Sequence, residues 1–130
     1  DVYKRQAQPF YENTTIVIVG DHLTMDSDFC KDVPEEYTRG VYNAIINAPI
    51  VLVNQKNRQA TTMDMFPTTI AALGAQIEGE RLGLGTNLFS AEPTLAEKVG
   101  LDVLNGEVRK RSVFYEQLAG DEKVDDSVLD

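Results

Sequence analysis

The sequence predicts an α/β fold, because two apolar segments of strand character are followed by segments with helical capping signals. Residues 14–20 read TTIVIVG, a continuous β-branched run stopped by glycine, which is typical of a strand covered on both faces of its sheet. Residues 41–46 and 50–53 form a second apolar stretch, and Pro49 between them indicates two strands separated by a kink. In α/β sheets, functional groups lie at the carboxyl ends of the strands.

The first predicted helix covers residues 64–73. Asp64 is a favourable N-cap residue, Pro67 falls in the first turn, where its missing N–H costs little, and Gly74 stands where helices commonly end. The segment before this helix, residues 54–58, is predicted to be a polar turn. The apolar stripe of the helix is expected to consist of Met65, Thr69, Ala72 and Leu73.

Two further helices are predicted near the end of the chain. Thr94 and Glu97 have the spacing of a capping box, which predicts a short helix ending at Gly100. Residues 101–118 are predicted to form one amphipathic helix, which Gly106 weakens.

The chain is predicted to be one domain or part of one. The opening letters DVYKRQ resemble an adapter-derived scar, so residues 1–13 are interpreted as a scar with an upstream remnant, and the protein is expected to continue upstream. Residues 14–118 are expected to be the folded part, and residues 119–130 an acidic tail. Within the folded part, residues 24–40 predict a polar surface loop and residues 83–90 tight backbone turns against the sheet.

The composition restricts the classes of partner. The formal net charge is −9, from 21 acidic and 12 basic residues, which argues against nucleic acid and against an anionic membrane surface as partners. Cys30 is the single cysteine, so no internal disulfide can form. No apolar run approaches the roughly 20 residues that a membrane-spanning helix needs.

Asp21 and His22 are the candidate metal ligands, because they directly follow the apolar run at residues 14–20. Carboxylate oxygen with imidazole nitrogen is a donor set that suits Mn²⁺ or Zn²⁺, and Mg²⁺ when more water is retained. Two ligands do not complete a site, so the remaining ligands must come from elsewhere. The alternative interpretation is that Asp21 caps a turn and His22 is an ordinary surface residue.

Three motifs in order resemble the sulfatase and alkaline-phosphatase superfamily. They are TIVIVGDH at residues 15–22, TTMDMFPTTIAALG at 61–74 and RLGLGTNLFS at 81–90. The third motif makes the chain most similar to the phosphoglycerol transferase and lipoteichoic acid synthase branch, close to enzymes that decorate periplasmic glucans. The resemblance extends over residues 14–115.

The resemblance implies that residues 14–118 are the C-terminal part of an alkaline-phosphatase-like catalytic domain, a sheet covered by helices. It implies metal-dependent transfer of a phosphoglycerol group through a covalent threonine intermediate, with Mn²⁺ as the expected ion and Mg²⁺ or Zn²⁺ as alternatives. Only the metal ligands Asp21 and His22 map onto this chain. The nucleophilic threonine precedes this region in the family, so no catalytic residue is assigned in the fragment, which is expected to be inactive alone.

The same resemblance implies the partners. The donor would be a phospholipid head group, that of phosphatidylglycerol, and the acceptor a glycan or a growing polyglycerolphosphate. The complete protein would be anchored by N-terminal membrane helices that this chain lacks, with its catalytic domain on the extracellular or periplasmic face of the cell membrane. A sulfatase or phosphodiester hydrolase of the same superfamily is one alternative. A non-catalytic α/β binding module, in which Asp21 and His22 form only a turn, is another.

Other polar residues have weaker functional interpretations. Asp64 is interpreted as a helix cap rather than as a group beside the ion. Asp26 and Asp28 are predicted to belong to a solvated acidic loop rather than to a second cation site. Two arginines are expected to form surface ion pairs rather than to meet an anionic substrate. These are Arg39 and Arg58. Thr86 and Asn87 are predicted to lie near the candidate metal site.

Overall fold

The computed structural model describes residues 2–53 and 57–119, and it contains short helices together with two antiparallel two-stranded sheets. This mixed content agrees with the predicted α/β class. The helices are α1 (Val2–Gln6), α2 (Ser27–Lys31), α3 (Met65–Ala72), α4 (Leu95–Val99), α5 (Leu101–Val108) and α6 (Val113–Ala119). The strands are β1 (Ile16–Val19), β2 (Asn43–Ile46), β3 (Arg81–Leu82) and β4 (Gly85–Thr86). Short 3-10 turns lie at Tyr11–Asn13, Thr62–Asp64 and Glu78–Glu80.

Strand β1 forms where the β-branched run predicted it, but it is not covered on both faces. It pairs antiparallel with β2, in a register that places Ile16 opposite Ile46 and Val19 opposite Asn43. The side chains of β1 are half-buried, and Val19 is 37% exposed. The expectation of a fully covered strand was therefore wrong for this part of the chain, because helices cover too little of the β1–β2 sheet.

The chain leaves the sheet after β2, so the predicted strand at residues 50–53 does not form. Asn47 adopts a left-handed backbone conformation with φ +59°, and its side-chain Nδ2 donates to the Tyr11 and Thr14 carbonyls at 2.8 and 3.0 Å. The Val53 N–H then donates to the Phe89 carbonyl at 3.1 Å rather than to a strand. The turn at Asn47 thus directs the chain away from the β1–β2 sheet and toward Phe89 in its C-terminal half. Most of the predicted turn at 54–58 lies outside the described residues.

Helix α3 confirms the predicted helix, although the predicted apolar stripe is right only in part, since Ala72 is its one buried member. Its buried residues are Pro67, Thr68, Ala71 and Ala72, whereas Leu73 is 66% exposed. Gly74 follows with φ +85°, as expected for the residue after a helix. The buried face carries small side chains because the β3–β4 hairpin packs closely against it. A Cβ atom on Gly85 would lie 2.0 Å from the Met63 carbonyl oxygen.

The core joins α3 to the first sheet. Ala71, Ala72 and Phe89 form its buried centre. Partly buried side chains from other segments pack on this centre, namely Ile45, Ala48, Ile50 and Ile77. Because Ile45 belongs to β2, the core positions β2, and β2 in turn positions β1 through the strand register.

Residues 94–119 contain three helices, where two were predicted. The capping box of Thr94 and Glu97 is present at the start of α4, and Gly100 joins α4 to α5 with φ +85°. The predicted helix over 101–118 divides after Val108, because the Ser112 hydroxyl and carbonyl accept hydrogen bonds from the N–H groups that begin α6. Gly106 does not end α5. The predicted acidic tail lies outside the described residues, except for residue 119 at the end of α6.

Two further expectations concern the start of the chain and its polar loop. Residues 2–6, interpreted as part of a scar, are helical in α1. The predicted loop at 24–40 contains the short helix α2, whose N-cap is Asp26. The Asp26 carboxylate accepts from the N–H groups of Asp28 and Phe29 at 2.9 and 3.2 Å, so a cap signal within the loop was overlooked.

Arg58 ties α4 and the segment before it to the rest of the fold. Its guanidinium donates to both carboxylate oxygens of Glu97 at 2.9 Å and to the carbonyls of Ser90 and Glu92 at 2.9 and 2.7 Å. The Arg58 side chain is 9% exposed and that of Glu97 is 23% exposed. The predicted surface ion pair is therefore a partly buried, bidentate one, which is the stronger geometry.

The Arg58–Glu97 pair predicts a specific acid sensitivity. Hydrogen bonding from Arg58 lowers the pKa of Glu97 below its ordinary value of 4.5, so the stability from this pair is complete above that pH and is lost as the pH falls through the lowered pKa. We expect Glu97→Gln to unfold at a midpoint temperature that depends less on pH than wild type below about pH 4.5. Glu107→Gln, which alters an exposed pair with Lys110, is the control. Parallel losses in wild type and Glu97→Gln would contradict this assignment.

The close approach of Gly85 to α3 predicts a large effect of a single methyl group. Gly85→Ala must displace backbone at Met63, and we expect a loss of about 3 kcal/mol in the free energy of unfolding, measured in urea. Gly106→Ala provides the matched control, because a Cβ there meets nothing within 4 Å. In the middle of α5 it should raise stability by roughly 0.5–1 kcal/mol. Equal stabilities of Gly85→Ala and wild type would disprove the described packing.

Candidate metal centre

Asp21 and His22 lie directly beyond the β1–β2 sheet. The strand pairing extends one residue past β1, where the Gly20 N–H donates to the Tyr42 carbonyl at 2.8 Å. The following two residues leave the sheet and expose their side chains, 88% for Asp21 and 59% for His22. The side chains of Asp21 and His22 thus lie just beyond the end of strand β1, which the β-branched run forms.

The two side chains face one another. The Asp21 Oδ1 atom accepts a hydrogen bond from the His22 backbone N–H at 2.9 Å, which orients the carboxylate. Its other oxygen, Oδ2, lies 3.6 Å from the Nε2 atom of the His22 imidazole. The carboxylate and the imidazole are therefore on the same side of the backbone.

The second ring nitrogen of His22 has its own partner. Nδ1 lies 2.7 Å from the Leu23 carbonyl oxygen. A carbonyl oxygen only accepts hydrogen bonds, so Nδ1 carries the proton and the Nε2 lone pair is left for another partner. This is the arrangement in which metal-bound histidines are commonly oriented.

The spacing of the donors fits a shared divalent cation after a small side-chain rotation. Two donors bound at about 2.1 Å lie roughly 3.0–3.4 Å apart, slightly closer than the 3.6 Å between Oδ2 and Nε2. No cluster of three His, Cys, Asp or Glu side chains suited to a metal occurs within residues 2–53 and 57–119. The metal assignment of Asp21 and His22 stays a prediction. The same contact is also that of an ion pair when the imidazole is protonated.

The chain matches no family model, no curated protein and no solved structure. Support for a metal centre therefore comes from the residues themselves. It consists of the donor types of Asp21 and His22, their placement at a strand end, and the ring orientation set by Leu23. Among the described residues, no helix has the length and apolar character needed to cross a membrane.

A cleft of about 300 Å³ opens beside His22. Arg39 lines it from the far end of the loop, and its Nη1 atom donates to the Thr24 carbonyl at 3.2 Å and to the Cys30 Sγ atom at 2.9 Å. The predicted surface ion pair of Arg39 is not observed in the part of the chain that the structure describes. Three exposed aromatic side chains also line the cleft, namely Phe29, Tyr37 and Tyr42.

Sequence reasoning did not select these aromatic residues. They are scattered through a segment dominated by acidic and polar letters, and the segment was interpreted as a solvated loop. Three aromatic residues within residues 29–42 were the available signal, since an ordinary solvated loop has little need of them. The short helix α2, which starts this segment, is what turns Phe29 toward the cleft.

The other polar residues that the sequence singled out have partners within the protein. Asp28 pairs with Lys31 across α2. Thr86 and Asn87, placed near the site by the sequence, are buried in the hairpin region, where Thr86 contacts Asp64 and Asn87 donates to Glu80. No hydrogen bond in residues 2–53 and 57–119 links either of them to the candidate ligands.

Asp64 acts as a buried junction between two segments. Its side chain is nearly inaccessible, and Oδ2 accepts from the Thr61 N–H at 2.8 Å and from the Thr61 hydroxyl at 3.2 Å. The other oxygen, Oδ1, accepts from the Thr86 N–H at 2.8 Å. The prediction that the Asp64 side chain caps α3 is therefore wrong, because that side chain makes no cap hydrogen bond to the helix. Asp64 is instead the third residue of the 3-10 turn whose N-cap is Thr61, and it also holds strand β4.

Removing the Asp64 carboxylate should destabilise the fold. Asp64→Ala leaves the buried Thr86 N–H without an acceptor, and we expect a loss of about 3 kcal/mol in unfolding free energy. Asp64→Asn keeps one carbonyl oxygen and should lose less. Urea denaturation of the two variants measures the difference. Near-wild-type stability of Asp64→Ala would show that this junction matters little.

Proposed function

We propose that this chain is the distal part of the catalytic domain of a metal-dependent phosphoglycerol transferase with an alkaline-phosphatase-like fold. The observation that carries the proposal is the convergence of the Asp21 carboxylate and the His22 imidazole, with Nε2 free of the Leu23 hydrogen bond. The order of the three motifs along the sequence supports the same family.

Each residue of the pair has a separate task in the proposed site. Asp21 supplies a hard anionic oxygen, and its own bond to the His22 N–H restricts the rotation of the carboxylate. His22 supplies a nitrogen whose direction is set by the carbonyl of Leu23. When bound, a Mn²⁺, Mg²⁺ or Zn²⁺ ion would stabilise negative charge on phosphoryl oxygens and on an attacking hydroxyl.

The proposed reaction exchanges one phosphodiester for another. A threonine outside this chain attacks the donor phosphorus and releases the diacylglycerol hydroxyl, and an acceptor hydroxyl then takes the glycerophosphoryl group from the threonine. The buried hydroxyls of Thr68 and Thr94 are poor candidates for that nucleophile, because each donates to a backbone carbonyl. Thr68 donates to the Asp64 carbonyl at 2.6 Å, and Thr94 donates to the Gln59 carbonyl at 2.5 Å.

The proposed substrates follow from the family resemblance. The donor is a phospholipid head group, and the acceptor is a glycan or a polyglycerolphosphate chain. Such a reaction takes place at the extracellular or periplasmic face of the cell membrane, with a membrane anchor outside this chain.

The metal assignment is tested by paramagnetic broadening. Traces of Mn²⁺ added to the ¹⁵N-labelled 130-residue chain should selectively broaden the resonances of residues 20–24 and the His22 ring. Because two ligands bind weakly, broadening is a better readout than calorimetry. His22→Ala removes the nitrogen donor and should abolish the selective effect, and Asp21→Asn replaces the anionic oxygen with a neutral amide oxygen and should strongly reduce it.

Asp102→Asn supplies the control for the metal test, because it removes one exposed carboxylate from the first turn of α5. It should leave the broadening near His22 unchanged. Equal broadening of wild type and His22→Ala would eliminate the metal assignment and leave the turn interpretation.

A further inference from the structure

The cleft beside His22 differs in charge from the rest of this acidic chain. The formal net charge of the protein is −9, yet no aspartate or glutamate is among the described residues that line the cleft. Among the lining residues that the structure describes, the guanidinium of Arg39 is the one permanent charge. The Asp21 carboxylate lies beside His22 at the edge of the cleft, but among the described residues Arg39 forms no ion pair with any carboxylate, so its positive charge can attract an anion.

The guanidinium of Arg39 still has donors to offer. Nη1 is used by the Thr24 carbonyl and the Cys30 sulfur, and these contacts fix the direction of the group. Within residues 2–53 and 57–119, Nε and Nη2 have no hydrogen-bond partner. These two nitrogens form one edge of the planar fork, which matches two oxygens of a phosphate group.

Aromatic side chains form part of the cleft wall, beside Leu23, Val33 and Val41. The aromatic residues are Phe29, Tyr37 and Tyr42, which are exposed and line the same cleft as Arg39. Such a wall provides contact area for the carbon-bearing part of a ligand, while a single charged group fixes its orientation. An inorganic anion would use the guanidinium and leave this wall empty.

We propose that this cleft binds a phosphate ester, with the oxyanion on the free edge of Arg39 and the polyol arm of the ester against Tyr37 and its aromatic neighbours. The choice of a polyol ester rests on the proposed function. His22 lines the same cleft, so a phosphate held by Arg39 lies on the side of the candidate metal ligands. Arg39 is thereby a substrate-positioning residue.

The binding test uses the 130-residue chain in excess EDTA, so that the metal assignment plays no part in it. Glycerol 1-phosphate and inorganic phosphate are titrated separately, and amide shifts are followed by two-dimensional ¹H–¹⁵N spectra. We expect saturating shifts at residues 22–24 and 39–42, with glycerol 1-phosphate binding about threefold more tightly than inorganic phosphate because of the aromatic wall.

Two variants separate the guanidinium from the aromatic wall. Arg39→Gln should weaken both ligands about tenfold, since a charge-assisted hydrogen bond is lost. Tyr37→Ala should weaken glycerol 1-phosphate about threefold and leave inorganic phosphate unchanged. Arg109→Gln, which removes the same charge from an exposed position after α5, should bind both ligands as wild type does.

Arg39 also holds the Thr24 carbonyl, so Arg39→Gln must first show the amide dispersion of wild type. Should the loop unfold, Arg39→Lys retains the charge without the planar fork and should still weaken binding of both ligands several-fold.

Shifts spread over other basic residues, or wild-type affinity in the Arg39 variants, would overturn the proposed binding site. Equal affinities for the two ligands, unchanged by Tyr37→Ala, would overturn the ester assignment. Neither result alters the Mn²⁺ test, and a failed Mn²⁺ test leaves this one intact.

Discussion

The hydrogen bonds of the buried Asp64 carboxylate are the constraint on which the arrangement of this chain depends. They join the turn before α3 to strand β4, and the core of Ala71, Ala72 and Phe89 lies beside that junction. The core contacts Ile45 of β2, and β2 fixes β1 in register. The candidate ligands Asp21 and His22 follow β1, so their placement depends on a junction in the other half of the chain. A buried carboxylate is stable in such a place only when several donors satisfy it.

The sequence predicted best the features that are encoded locally. The β-branched run, the Thr94–Glu97 capping box and the helix before Gly74 each depend on residues a few positions apart, and each is present. The segment 101–118 was predicted to be one continuous helix because its residue pattern is otherwise helical. The N-capping role of Ser112, which divides the segment, is hidden by that pattern. The buried face of α3 could not be predicted from periodicity, because it is determined by the approach of Gly85 from 18 residues downstream of Pro67.

The candidate site was predictable in part. The dipeptide at 21 and 22 was evident because chemically distinctive residues follow a strand signal. The cleft beside it was not, since Arg39 and the aromatic residues come together only when α2 and the turn after it fold back toward Gly20. Nothing in the sequence distinguishes Arg39 from Arg58. The Arg58 guanidinium donates to Glu97 and to backbone carbonyls, whereas the Arg39 guanidinium has two nitrogens without a partner among the described residues. That distinction depends on long-range contacts.

The incomplete cover of the first sheet has a consequence for handling this protein. Among residues 2–53 and 57–119, β1 and β2 have no strand partner but each other, so each presents one unpaired edge beside half-buried apolar side chains. Such edges are templates on which an extended segment of another molecule can add a strand. In concentrated solutions, self-association would begin at these edges. Hydrogen bonds between backbone N–H and C=O groups would drive it more than contacts between particular side chains. Because β1 leads directly into Asp21, an added strand would also crowd the candidate ligands, and dilute samples are the appropriate state for measuring them.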